Sequence, residues 1–72
     1  MRFEWDEAKR RSNIKRHGFD FLAVERIFAS DAFTLLDDLD YGEIRFLTLG
    51  VFNGTVVAIA HTETDEVTRI IG

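Results

Sequence analysis

Arg45 and Arg69 are cations in unusual places, each set in the middle of a run of apolar residues that reads as a strand. A guanidinium keeps its charge at any accessible pH and grips phosphate through two parallel N–H bonds. Phosphate contact is therefore the chemistry such positions offer. An arginine at a sheet edge can equally snorkel or pair with an acidic neighbour. His17 falls where a first helix is expected to end, and there the helix dipole favours a protonated ring. A packing role beside Gly18 competes with acid–base work at that position. Lys9 and Arg16 lie on the same helix, as anion contacts or as part of a solvated face. His61 and Glu63, two apart on a strand, share one face and make a weaker acid–base pair.

The elements that must position these residues can be read from local pattern. Arg2 to Trp5 alternates polar and apolar, which suits a short strand. Asp6 is a good N-cap and Glu7 suits the first turn, so a helix runs from there to about Arg16 or His17, where Gly18 stops it. With only Ala8 and Ile14 as apolar residues, that helix is expected to pack lightly. Asn13 is disfavoured mid-helix and is expected to hydrogen-bond a neighbouring loop. Asp20 caps a second helix whose Phe21, Val24, Ile27 and Phe28 form one apolar stripe, ending near residues 29–31. A brief strand over 32–36 leads into the acidic connection 37–42, which lacks the residue spacing of a calcium loop.

Asn53-Gly54 is the strongest hairpin signal in the chain. A two-residue turn there pairs Val51 with Val56, Leu49 with Ala58, Leu47 with Ala60 and Arg45 with Thr62 on one face. Phe46 and His61, Thr48 and Ile59, and Gly50 and Val57 share the other. Both faces are apolar in the middle, so each must be covered or one must dock a partner. A tight turn around Thr64-Asp65 leads to a last strand over 66–72 and sets Arg69 opposite Ala60, on the face of Arg45. The expected fold is α+β in the order β-α-α-β-β-β-β, an antiparallel sheet with two N-terminal helices on one face.

Seventy-two residues allow one domain, 1–72, and a chain this short buries only about 60% of its unfolded surface. It has no cysteine for a disulfide or thiolate metal site, and its two histidines are far apart, so neither metal nor cofactor is expected. Seven Phe, one Trp and one Tyr must supply the core. The absence of a long apolar run or a signal-peptide pattern points to a soluble, cytoplasmic protein with no membrane association. A net charge of −4 argues against indiscriminate nucleic-acid binding. Charge is unevenly placed, however, with six of the nine cations between Lys9 and Arg26 and an acidic stretch from Asp31 to Glu43.

Beyond these single features, the ordered set Phe3-Glu4-Trp5-Asp6, Lys9, Asn13 and Arg16-His17-Gly18-Phe19-Asp20-Phe21 resembles the N-terminal signature of the BrnT family of bacterial type II toxins. Gly42-Glu43, Arg45-Phe46 and Leu49-Gly50 are similar to that family's middle strand, and Arg69-Ile70-Ile71 to its last. The matches span nearly the whole chain at compatible spacing. Two departures stand out. Arg16 occupies a position where lysine is usual, and Gly72 replaces a serine after which the family continues into a basic C-terminal helix.

The resemblance implies a RelE-like fold and a metal-independent endoribonuclease that inhibits translation. Arg45, Arg69 and His17 would be catalytic, and Lys9 and Arg16 would bind RNA. It further implies neutralisation by a BrnA-like antitoxin that binds operator DNA through a ribbon-helix-helix. A homodimer and a heterotetramer with the antitoxin are both compatible with it. Without the C-terminal helix, a trimmed toxin that cuts RNA weakly competes with a catalytically degenerate fold that serves as a protein-binding module. A stand-alone nucleic-acid binder fits least, since no stacking aromatic motif accompanies the basic helix.

Overall fold

The computed structural model describes residues 2–37 and 42–72. The central part of the acidic connection, residues 38–41, lies outside the described residues. The elements are β1 (Arg2–Trp5), α1 (Glu7–His17), a 3-10 turn (Phe21–Ala23), α2 (Val24–Phe28), β2 (Phe33–Asp37), β3 (Arg45–Phe52), β4 (Thr55–Glu63) and β5 (Val67–Ile70). They build one five-stranded sheet in the order β1-β5-β4-β3-β2.

The expected antiparallel sheet is corrected to a mixed one, because β1 pairs with β5 in parallel. That register sets Phe3 beside Thr68 and Trp5 beside Ile70. It brings the Phe3 ring edge-on to Phe28 at 5.2 Å and Trp5 edge-on to Phe21 at 6.2 Å. Edge-to-face pairs of this kind add about 0.5–1.5 kcal/mol beyond area burial. The two aromatic residues of β1 thus complete the core from the side on which β5 would otherwise be an open edge.

The second helix also differs from expectation. Its first turn is a 3-10 turn, closed by the Ala23 N–H donating to the Asp20 carbonyl at 2.9 Å, and only five residues follow as α2. Tight first turns are common where a side chain caps the chain, as the Asp20 carboxylate does for the Leu22 N–H at 3.0 Å. The expected stripe is nevertheless the core. Phe21, Val24 and Ile27 are buried against Ile59 and Ile70, with Phe28 packed beside them.

α1 packs lightly, burying no residue. Asp6 caps it by accepting from the N–H groups of Ala8 and Lys9, and Gly18 ends it at φ 69°. Two polar contacts tie it down: Asn13 Nδ2 donates to the Phe19 carbonyl at 2.7 Å, and Arg10 bridges Glu7 and Asp20. The Arg10 hydrogen bond lowers the pKa of Glu7, and Leu22 N–H and then Arg10 lower that of Asp20. No helix among the described residues is long and apolar enough to cross a membrane.

Asn53 and Gly54 turn with φ of 51° and 77°, the left-handed pair that a two-residue hairpin needs. The β3–β4 register follows, from Val51 opposite Val56 to Phe46 opposite His61. The next turn sits one residue later than expected. The Thr64 N–H donates to the Val67 carbonyl and the Thr64 hydroxyl accepts from the Val67 N–H, which closes the turn on Asp65-Glu66. Arg69 therefore lies opposite Thr62, where Ala60 was expected. A shift of two residues keeps a side chain on its face, so Arg69 still shares the face of Arg45.

Candidate functional site

The helices cover the sheet face that carries Thr48, Ile59, His61 and Ile70, all buried. The other face is open and divides into two zones. Towards the β3–β4 turn it is apolar, with Leu35 beside Leu47, which faces Ala60, and Phe33 beside Leu49, which faces Ala58. Beyond these a polar row crosses all five strands. Glu4 pairs with Arg69, Arg69 with Thr62, and Arg45 with Asp37. The β3–β4 ladder, continued one residue past Phe46 and His61, sets Arg45 beside Thr62.

The row thus reads Glu4, Arg69, Thr62, Arg45, Asp37, with two arginines flanking a threonine. At about 4.8 Å per strand their backbones stand roughly 10 Å apart, a gap that two long side chains can close over one phosphate. Each arginine has an acidic neighbour. Arg69 Nη1 donates to Glu4 Oε1 at 3.2 Å, in a pair whose side chains are 48% and 45% exposed. Arg45 Nε lies 3.9 Å from Glu43 Oε1. An ion pair as open as Arg69–Glu4 contributes about 1 kcal/mol at most and exchanges readily for a phosphate.

Lys9, Arg16 and His17 gather elsewhere. They line a cavity of about 280 Å³ between α1 and the chain end at Ile71-Gly72. His17 and Asn13 also border an adjoining cavity of about 310 Å³ floored by Phe19, Phe21 and Ile59. Neither cavity is lined by Arg45 or Arg69. The structure therefore sorts the five candidates into an arginine pair on the open sheet face and a basic groove beside the end of β5.

His61 is in neither place. It is fully buried, stacked on Phe46 at 5.9 Å and edge-on to Phe28 at 5.0 Å. Its Nε2 shares a 2.7 Å hydrogen bond with the Thr48 hydroxyl, which shares another of 2.7 Å with Thr34. Nδ1 lies 3.3 Å from Glu63 Oε1. A side chain with no accessible surface does not meet a substrate, so its effect is on stability. Burial pushes its pKa down from 6.5, against a smaller upward pull from Glu63. The unfolded chain then binds the extra proton, and the stabilising effect, complete above about pH 6.5, is lost as pH falls through the folded pKa. Urea unfolding at pH 7.5 and 5.5 is expected to show a stability drop that His61→Gln flattens; an equal drop in both proteins would exclude His61 as its source.

Thr62, Glu4 and Asp37 are the members of the row that sequence reading missed. The signal for Thr62 was present, since the hairpin already placed it beside Arg45. Among the described residues no three His, Asp or Glu side chains gather as a metal site would require. The chain matches, over residues 5–72, the family profile described as the ribonuclease toxin BrnT of type II toxin–antitoxin systems. No curated protein matches it.

Proposed function

The chain belongs to the BrnT family of ribonuclease toxins of type II toxin–antitoxin systems, and we propose that it cuts RNA on the open sheet face without a metal ion, thereby stopping translation. The observation that supports this reading is the row in which Arg45 and Arg69 flank Thr62 on one uncovered surface. In the cleavage step the 2′-oxygen bonds to phosphorus while the bond to the 5′-oxygen breaks. The 2′-proton passes to a base and the leaving oxygen takes a proton. Negative charge peaks on the phosphoryl oxygens between these events. Two guanidiniums held over them stabilise that state more than the ground state, which is what accelerates the reaction.

As the phosphate arrives, Arg69 exchanges Glu4 for it. Lys9, Arg16 and His17, which gather by α1, hold flanking phosphates where the RNA strand runs past β5, and at the scissile bond water takes the 2′-proton and protonates the leaving oxygen. The antitoxin that this family membership implies is, in this proposal, a BrnA-like ribbon-helix-helix protein that assembles with the toxin and silences it.

A second reading, a catalytically silent protein-binding module, draws on Glu4 and Glu43 standing beside the two arginines. Expression separates the two. The nuclease reading expects growth arrest relieved by the antitoxin, with RNA fragments forming in chelator. Harmless expression and intact RNA at high protein concentration would leave only the module.

A further inference from the structure

The strand β2 forms one edge of the sheet, and among the described residues no strand lies on its outer side. A row of edge N–H and C=O groups is a template for another strand, and folded proteins usually blunt it with lysine, proline or a bulge. β2 reads Phe-Thr-Leu-Leu-Asp and carries none of these. It exposes large apolar side chains instead: Phe33 is 59%, Leu35 46% and Leu36 64% accessible. Phe33 and Leu35 lie on the open face, and Leu36 points to the opposite side. Next to Phe33 a cavity of about 550 Å³, bordered by Asp31, Val51 and Val56, is large enough for an apolar side chain.

Charge indicates the occupant. From Ile27 to Ile44 the sequence has five acidic residues and no lysine or arginine. Asp31 precedes the strand and Asp37 closes it, with Arg45 beside Asp37 on the inner neighbour β3 and not on the outer edge. A second copy paired antiparallel about Leu35 would bring the acidic ends of both strands together, between chains that each carry a net charge of −4. A nucleic acid would meet the same repulsion. A cationic strand meets attraction at both ends and apolar side chains in between.

We infer that the outer edge of β2 is a docking site for an extended segment of a partner protein, with alternating apolar residues bracketed by Lys or Arg, which adds to the sheet as a sixth strand. Backbone hydrogen bonds supply affinity in this mode, and the cavity beside Phe33 together with the acidic ends supplies selectivity. The inference goes beyond RNA cleavage and stands whether or not the arginine row cuts RNA.

The probe is a synthetic peptide of alternating valine and threonine with two lysines at each end, titrated into the purified chain. Amide exchange is expected to slow over residues 33–37 in the complex. The peptide ended with glutamates is expected to bind at least tenfold more weakly. Phe33→Lys with Leu36→Lys, both surface positions, is expected to weaken the lysine peptide at least tenfold while circular dichroism stays that of the parent. No binding at millimolar peptide, equal binding of both peptides, or protection confined to another strand would overturn the proposal. So would a concentration-dependent dimer that slows exchange over 33–37 without peptide, because it would make a second copy the occupant.

Discussion

Replacing Arg45 and Arg69 together with alanine is expected to lower the single-turnover rate of RNA cleavage by about three orders of magnitude or more. Removing one preorganised donor to a developing oxyanion costs on the order of 10²–10³ in rate, and the pair acts on a single charged state. Each single variant is therefore expected to lose about a hundredfold or more. The double variant should fall short of the product of the two, since groups that act as a unit are not additive. Lysine at either position keeps the charge but loses the forked N–H geometry, so Arg69→Lys should retain only part of the activity. Arg69 is half exposed and gives up only a surface ion pair, whereas the Arg45 side chain is 25% exposed, so the double variant is expected to fold with a modestly lower melting temperature. The measurement is cleavage of a defined RNA in chelator, with the melting temperature as control. Cleavage at parental rate by the double variant would remove the arginine row from the chemistry. Glu4→Gln serves as the companion. It frees Arg69 without deleting a guanidinium, so activity should hold or rise, whereas loss of activity would make Glu4 a participant.

How much of this was legible in the sequence depended on the range of the interaction. Asp6, Gly18 and Asn53-Gly54 act within a few residues of themselves, and each does in the structure what its type and position suggested. From the hairpin turn alone, alternation carried the β3–β4 register out to Phe46 opposite His61. The partner of β1 was not readable, because no turn connects it to β5 and nothing local specifies a parallel neighbour. The last turn lies one residue beyond the Thr64-Asp65 signal because the Thr64 hydroxyl closes it, and a hydroxyl leaves a fainter mark than Asn-Gly. The difference changes the neighbour of Arg69 from Ala60 to Thr62 but not its face, so the two arginines share one face in either register. Gathering Lys9, Arg16 and His17 around one cavity depends on how α1 lies against the chain end, which no periodicity encodes.

Of the described glycines Gly50 alone has no room for a side chain, because α2 packs directly over it, and substitution there is expected to destabilise the fold strongly. A Cβ added at Gly50 would stand 2.7 Å from Ile27 Cγ2 and 3.3 Å from Ala32 Cβ. The first distance is closer than real Cβ contacts come. Ile27 is itself buried and cannot swing away, and the γ-carbon it presents is attached directly to its Cβ. Gly50→Ala is thus expected to cost about 1–3 kcal/mol from overpacking. A domain of this size is stabilised by only roughly 4–11 kcal/mol. Gly50→Val, with two further carbons directed at α2, is expected to leave no cooperative unfolding transition. Ile27→Ala removes the opposing γ-carbon and by itself should cost about 2–5 kcal/mol as a cavity. Combining Ile27→Ala with Gly50→Ala tests the cause. If the clash is responsible, the added methyl enters the space Ile27 vacated, and the double variant is more stable than the two single losses imply by about 1–3 kcal/mol. Urea denaturation of the four proteins measures that coupling. Strict additivity would mean that Gly50 is needed for its backbone and not for the room it leaves to α2.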